Sequence, residues 1–282
     1  MFPFLGLILF LAGFPLVASA LKAYRRSRYV KDTPSSTPGS IALGRAEVQG
    51  TARPINETLP HPIGGDPVLL FHYLRLYGTR EEENSTIWKV RDEASLGSPF
   101  FLEDDDGRVV VDPKEATLLP ELVDDKRKHL LEFEMWDQEE NPPNHLQSFL
   151  DNRKSIRADH ECQSSQDRIA PSGTSRYPGL LPPPSLGAGC LVVSHAIHPG
   201  DTTYVLGDAQ KPSSDLASHQ GASAVFRSPD QGFSFGDSPF LISCQSEDDL
   251  RETLDTNFTR QLGLGTILIL LGPALMLGSC SL

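Results

Sequence analysis

The stretch Pro99-Phe100-Phe101-Leu102-Glu103-Asp104-Asp105-Asp106-Gly107-Arg108-Val109-Val110-Val111-Asp112-Pro113 decides the fold class. Apolar β-formers stand on both sides of an Asp-Gly pair, and Asp-Gly supplies the backbone corner that a tight hairpin needs. Two antiparallel strands are expected here. The same signature, a short β-branched or aromatic run closed by Gly, Pro or Asp, recurs outward in both directions. Upstream it marks residues 41–50, 68–77 (between Gly65-Asp66-Pro67 and Gly78) and 86–91 around Trp88. Downstream it marks 130–136, 190–197, 202–206 after the turn Pro199-Gly200-Asp201, 222–227 and 239–244. Strands alternate with turns and not with long helices. The chain therefore reads as mainly β, a sheet sandwich or barrel-like fold with a few helices.

Two helices interrupt this pattern. Residues 144–154 place Leu146, Phe149 and Leu150 on one helical face. Ser246-Glu247-Asp248-Asp249 opens another, with Ser246 as N-cap and acidic residues in the first turn, where the helix dipole favours them. Between the two, residues 155–185 turn to Ser, Gln, Gly and Pro and finish in Pro182-Pro183-Pro184, which predicts a flexible loop.

Both ends of the chain differ from this middle. Residues 2–21 and 262–282 contain no charged side chain, and about 20 apolar residues span about 30 Å of hydrocarbon as a helix. The expected layout is a transmembrane helix at 1–21, a basic juxtamembrane segment and linker at 22–40, a soluble β-rich domain at 41–260 and a second transmembrane helix at 262–282. Ala18-Ser19-Ala20 offers the rival reading of a cleaved signal peptide, but no charged side chain precedes the apolar run as such a signal requires. A cleaved lipid-anchor signal at the other end lacks its small-residue cluster. Lys22, Arg25, Arg26, Arg28 and Lys31 follow the first run. Under the positive-inside rule they keep the soluble domain cytoplasmic, in a two-pass protein of the plasma membrane. Pro34-Ser35-Ser36-Thr37-Pro38-Gly39 then reads as a short stiff linker.

A formal net charge of −12 argues against nucleic acid as a partner. The one dense basic run is juxtamembrane, where it suits anionic headgroups. Cys162, Cys190, Cys244 and Cys280 lack the paired spacing of a zinc clamp, and free thiols are expected. Neither a nucleophile elbow, a phosphate loop nor a His-Glu-x-x-His helix is present. Gly187-Ala188-Gly189 lacks the Lys-Ser/Thr of a phosphate loop. Glu103, Asp104, Asp105, Asp106, Asp112 and Glu115 suggest calcium but lack the twelve-residue ligand pattern. His195 and His198 stand three apart, which on a strand sends them to opposite faces. His160-Glu161-Cys162 falls in the predicted loop, without a rigid frame. No catalytic, cofactor-binding or metal residue is assigned, and no cofactor is expected; a hydrolase or metal enzyme built on His195, His198 or the acidic hairpin is the competing reading.

Several short segments fall in the order found in one family. They are Asp32-Thr33-Pro34, Ile41-Ala42-Leu43-Gly44-Arg45-Ala46-Glu47-Val48-Gln49-Gly50-Thr51-Ala52-Arg53-Pro54, Trp88-Lys89-Val90, the hairpin from Pro99 to Pro113, Pro199-Gly200-Asp201, Val205-Leu206-Gly207 and Leu241-Ile242-Ser243 with Ser246-Glu247. Together these resemble the GIDE-domain membrane proteins, the Mulan-like E3 ubiquitin ligases. The resemblance implies a domain beside the membrane that regulates or binds partners, and in the ligase branch a RING domain after the second span. A RING needs eight metal ligands, mostly paired cysteines, and four scattered ones do not supply them. The expectation is thus a RING-less member that acts as a membrane-anchored binding or scaffold module, its partners being the lipid bilayer and a protein left unidentified. The alternative is a component of a RING-type E3 ubiquitin-protein ligase that takes its RING from another chain.

Overall fold

A computed structural model describes residues 2–80, 86–114, 116–118, 132–136, 141–163, 189–212, 221–228, 240–244 and 247–278, with backbone alone at some helix and strand positions, among them 2–3, 5–6, 9, 22–23, 26, 86–91, 153–163, 272 and 275–278. The chain divides into a helical unit, Met1–Thr33 with Glu247–Leu282, and a β unit, Pro34–Ser246. The helical unit holds α1 (Phe2–Lys31) and α3 (Glu247–Gly278). In the β unit run β1 (Ser35–Ser36), β2 (Gly44–Pro54), β3 (Leu70–Arg80), β4 (Thr86–Gly97), β5 (Phe100–Glu103), β6 (Arg108–Val111), β7 (Thr117–Leu118), β8 (Glu132–Trp136), α2 (Asn144–His160), β9 (Glu161–Gln163), β10 (Cys190–Ile197), β11 (Thr202–Gln210), β12 (Val225–Arg227) and β13 (Leu241–Ser243). The protein is mainly β with a few helices, as the strand signals predict.

The Asp-Gly hairpin forms between β5 and β6, from Phe100 opposite Val111 to Glu103 opposite Arg108. Asp104 organises its tip: one carboxylate oxygen accepts the amides of Asp106 and Gly107 at 2.9 and 3.0 Å. From this hairpin the sheet curls shut. β5 pairs with β2, β2 with β11, β11 with β12, and β12 runs parallel to β6, which closes a five-stranded barrel. β13, β7 and β1 extend its wall. Alternate residues point inward, as a strand's two-residue period requires: Ala46, Val48 and Ala52 from β2, Phe100 and Leu102 from β5, Val109 and Val111 from β6, with Val205, Phe226 and Ile242 opposite. Closure removes the exposed edges that would otherwise invite aggregation.

A second, antiparallel sheet has the order β8-β10-β3-β4-β9. Helix α2 covers one face, burying Leu146 and Phe149 against Phe71, Tyr73, Ala94, Leu96 and Val192. The Phe149 ring meets Phe71 and Tyr73 edge-on, with centroids 5.9 and 5.3 Å apart. The two sheets share a joint. Leu70 and Ile197, at the ends of β3 and β10, pack into the barrel core, and the turn Pro199-Gly200-Asp201 carries the chain from β10 into β11. Gly200 sits at φ +100°, a conformation that side chains oppose. The Asp201 carboxylate accepts the His198 amide at 2.7 Å. Its carbonyl accepts the amide of Ala52 on β2 at 2.9 Å, and the Ala52 carbonyl in turn accepts the Gly200 amide at 2.8 Å.

Several expectations need correction. The segment read as a short stiff linker is part of the β unit: β1 lies parallel to β2, the Ser35 hydroxyl and the Tyr204 hydroxyl donate to the buried Glu47 carboxylate, and Ser223 donates to the Pro38 carbonyl at 2.6 Å. Gly39 lies so close to the Asp106 carbonyl that a methyl group there would collide with it. The third strand runs past residue 91 to Gly97 because it pairs with β3 along its whole length, across an irregularity at Arg75/Leu76. The helix after Asn144 continues to His160, and Glu161–Gln163 pairs with β4, so the predicted loop begins later; residues 164–188 lie outside those described. Residues 247–260, placed with the soluble domain from sequence, are the first turns of α3 and belong to the helical unit. The two transmembrane helices expected from sequence are a separate matter: among the described residues, which leave out several side chains of both uncharged runs, no helix is long and apolar enough to cross a membrane.

Replacing Asp201 tests the joint. Asp201→Ala leaves the His198 amide without its acceptor and should lower unfolding free energy by about 1–3 kcal/mol, the range for a buried donor left unsatisfied. Asp201→Asn, which retains an acceptor oxygen, should lose less. Urea midpoints of the full chain read the difference, and equal midpoints for wild type and Asp201→Ala would remove the joint's importance.

Candidate functional site

Strand β10 carries polar side chains on both faces, and its neighbours decide what each can do. His195 stands opposite His72 on β3, and His72 opposite Ser95 on β4, so the three form a row across one face. All are buried. His72 Nδ1 lies 2.9 Å from the Ser95 hydroxyl, and Nε2 lies 3.6 Å from the Glu93 carboxylate. His195 has no hydrogen-bond partner at either ring nitrogen. Burial pulls its pKa down from 6.5 to about 4, against an opposing pull from the Asp201 charge. A neutral imidazole is the form this site accommodates.

On the opposite face, Ser194 meets His61. The His61 Nδ1 lies 3.1 Å from the Gly64 carbonyl, which can only accept, so that nitrogen carries the proton. In the neutral ring Nε2 then accepts the Ser194 hydroxyl at 3.0 Å. A hydroxyl, an imidazole and an orienting acceptor make the arrangement of an activated nucleophile. The surroundings deny it that role: Ser194 is 1 % exposed and sits mid-strand between Tyr73 and Glu132, its amide in a paired ladder. The His198 ring packs against His61 with centroids 5.8 Å apart. His195 and His198 are thus divided between two faces, His198 lying just past the end of β10 where the turn begins. No group of three or more His, Cys, Asp or Glu side chains suited to a metal ion occurs among the described residues.

The other residues singled out from sequence are dispersed in the same way. Glu103 pairs with Arg53 at 3.0 Å, Asp104 organises its own turn, and Asp112 lies 3.3 Å from Arg227. These bonds hold the hairpin in place and leave no convergent oxygen cage; Glu115 lies outside the described residues. Cys190 and Cys244 are free thiols. Burial, and secondarily the Asp201 charge, pushes the Cys244 thiol up to about 12, which opposes the thiolate that reactivity requires. His160-Glu161-Cys162 straddles the end of α2 and β9 instead of lying in a loop, and Gly187-Ala188 falls outside the described residues.

The helical unit has its own geometry. Tyr24 packs against Phe258 with centroids 5.2 Å apart, and Ser27 and Lys31 both donate to the Asp255 carboxylate, at 2.6 and 2.7 Å. Farther along, a methyl group on Gly13 would lie 2.9 Å from the Gly265 carbonyl, and one on Gly265 would lie 2.9 Å from Val17 Cγ2. The residue pairs run in opposite directions, so α1 and α3 are antiparallel, with Gly13 and Gly265 at a close contact between them. The Lys31 and Ser27 hydrogen bonds hold the Asp255 carboxyl below its usual range. No protein-family model, curated protein or solved structure matches this chain.

A pH titration of stability checks the buried His195. The unfolded ring titrates at 6.5 and the folded one at about 4, so between those values the unfolded state binds the extra proton. The stabilisation is complete above pH 6.5 and is lost as pH falls towards 4, by ~3 kcal/mol in all. His195→Leu removes the titrating group without stranding a hydrogen-bond partner. Its stability should fall less steeply over that window than wild type, measured by urea unfolding at successive pH values; parallel curves would show that His195 does not titrate with unfolding.

Proposed function

We propose that the chain is a membrane-anchored binding or scaffold module of GIDE-like type. In this reading α1 and α3 insert together as an antiparallel pair, and the barrel with its companion sheet is the soluble part. One observation carries the proposal: the antiparallel register puts the inner ends of the two uncharged runs at one level. Since Tyr24 faces Phe258 and Ser27 faces Asp255, Leu21 comes level with Gln261 and Lys22 with Arg260. Two segments at opposite ends of the sequence have no reason in water to change from charged to uncharged at the same height. A bilayer supplies one.

The surface of the pair supports this reading. Of the thirteen large apolar side chains most exposed among the described residues, eleven belong to α1 and α3, including Phe4, Ile8, Leu11, Ile267 and Leu270. Apolar exposure on that scale marks a surface meant for lipid or protein. Close packing at Gly13 and Gly265 is the small-residue contact that membrane helices use, because lipid gives no hydrophobic drive to pair them. Pro15 and Pro273 lie inside the helices, a placement that membrane helices tolerate better than soluble ones. Thr266 returns its hydroxyl to the Leu262 carbonyl at 2.8 Å, so this polar group needs no water. The burial of Ser194, His195 and Cys244 favours a binding role over catalysis. The basic flank favours a cytoplasmic domain at the plasma membrane.

Alkaline carbonate extraction of membranes from expressing cells, with a tag in the β unit, tests the anchor. The full chain should remain in the pellet, whereas Leu11→Arg, which adds about 3 kcal/mol to the insertion cost near the middle of the first run, should shift a large share to the supernatant. Wild type released by carbonate would end the proposal. Protease added to intact cells should spare the tag until the cells are opened; early cleavage would reverse the orientation.

A further inference from the structure

We infer that the helical pair carries a binding site for anionic phospholipid headgroups, centred on Arg25 and Arg260, an assignment that rests on the membrane reading above. The evidence is the way the cations of this unit are sorted. Lys31 is paired with Asp255, Arg28 with Asp32 and Arg251 with Glu247. Arg25 and Arg260 are exposed and have no carboxylate partner among the described residues.

Distance from the apolar boundary separates the two groups. A helix rises about 1.5 Å per residue, so Arg25 stands about 6 Å beyond Leu21 and Arg260 about 3 Å beyond Leu262. Arg28 is about 10 Å out, and Lys31 and Arg251 about 15 Å or more. The headgroup layer on each side of the hydrocarbon is about 5–8 Å deep. Arg25 and Arg260 fall within it, and among the described residues of this unit each cation that has a carboxylate lies beyond it. In that layer the available anion is a lipid phosphate, which a guanidinium binds through two parallel hydrogen bonds. Tyr24 and Phe258 stack at the same height, where aromatic rings settle in a bilayer. Charge complementarity and level therefore commit the site to lipid in preference to an acidic protein, whose carboxylates would meet the farther cations equally well.

The test uses the full chain incorporated into neutral phosphatidylcholine nanodiscs, titrated with spin-labelled phosphatidylglycerol or spin-labelled phosphatidylcholine in phosphate-containing buffer. Wild type should prefer the anionic label by about fivefold to about thirtyfold, the range given by one or two arginines near the surface. Arg25→Gln with Arg260→Gln should lose most of that preference, while Arg25→Lys with Arg260→Lys retains a good part of it. Arg28→Gln should leave it unchanged. A chain that enters neutral discs but shows no preference, or whose preference survives the double glutamine variant, overturns the headgroup site and leaves the anchor standing. Failure to enter neutral discs overturns both.

Discussion

The turn at Pro199-Gly200-Asp201 is the constraint on which the β unit depends. Strand β10 belongs to the open sheet and β11 to the barrel, and only four residues separate Ile197 from Thr202. Within them the chain must reverse and bond to Ala52 of β2. Glycine supplies the φ of +100°, and the Asp201 side chain occupies the amide that the reversal would otherwise leave open. Ala52 bonds to both Gly200 and Asp201, so the position of β11 is set before its ladder with β2 begins. That ladder, from Thr202 opposite Thr51 to Ala209 opposite Gly44, is what brings β12 round to β6. A loose turn would cost the barrel its closure as well as a hydrogen bond.

The same turn bears on the chemistry of the histidines. The Asp201 charge acts on both His195 and Cys244: at the imidazole desolvation outweighs it, and at the thiol it works in the same direction as desolvation. Near neutral pH the imidazole stays neutral and the thiol protonated, the forms that burial favours. His61 and Ser194 show why geometry alone is a weak guide to catalysis. Their hydrogen bond has the length and order of a working pair, but a hydroxyl buried in a central strand has nowhere to receive a substrate. In a protein interior, polar groups must find partners or stay uncharged, and this requirement accounts for both faces of β10.

What could be read from the sequence was mostly local. The Asp-Gly turn announces its hairpin because the turn chemistry and the flanking strands lie within fifteen residues, and Cys190–Ile197 is marked by its own composition at both ends. The lower part of β4, by contrast, contains Asp92, Glu93 and Ser95, which discourage a strand assignment; pairing with β3 overrides that preference. Barrel closure was not legible, since β12 and β6 run parallel and nothing near Val225 specifies Val110 as its partner. The His61–Ser194 contact spans 133 positions and carries no motif. Pro34–Gly39 misleads for a different reason: its composition is that of a linker, while Glu47 on β2 and Ser223, far from it in sequence, supply the groups that bind it down.

The helical pair turns the two ends of the chain into neighbours, which changes the energetic problem posed by each. A single uncharged helix can lie at any rotation in a bilayer, and its glycines and prolines would only weaken it. Once α1 and α3 are antiparallel, Gly13 and Gly265 stand at a close contact between them, and the missing side chains leave room for the facing backbone. Just outside the uncharged runs, the Lys31–Asp255–Ser27 cluster sets the register. It is exposed enough that its Coulomb energy is small, yet it selects one alignment, because sliding α3 by a turn would carry Asp255 past its two donors. Register and close packing thus come from different chemistry at different heights. Their agreement fixes where each helix passes from charged to uncharged, and that level is what a membrane would read.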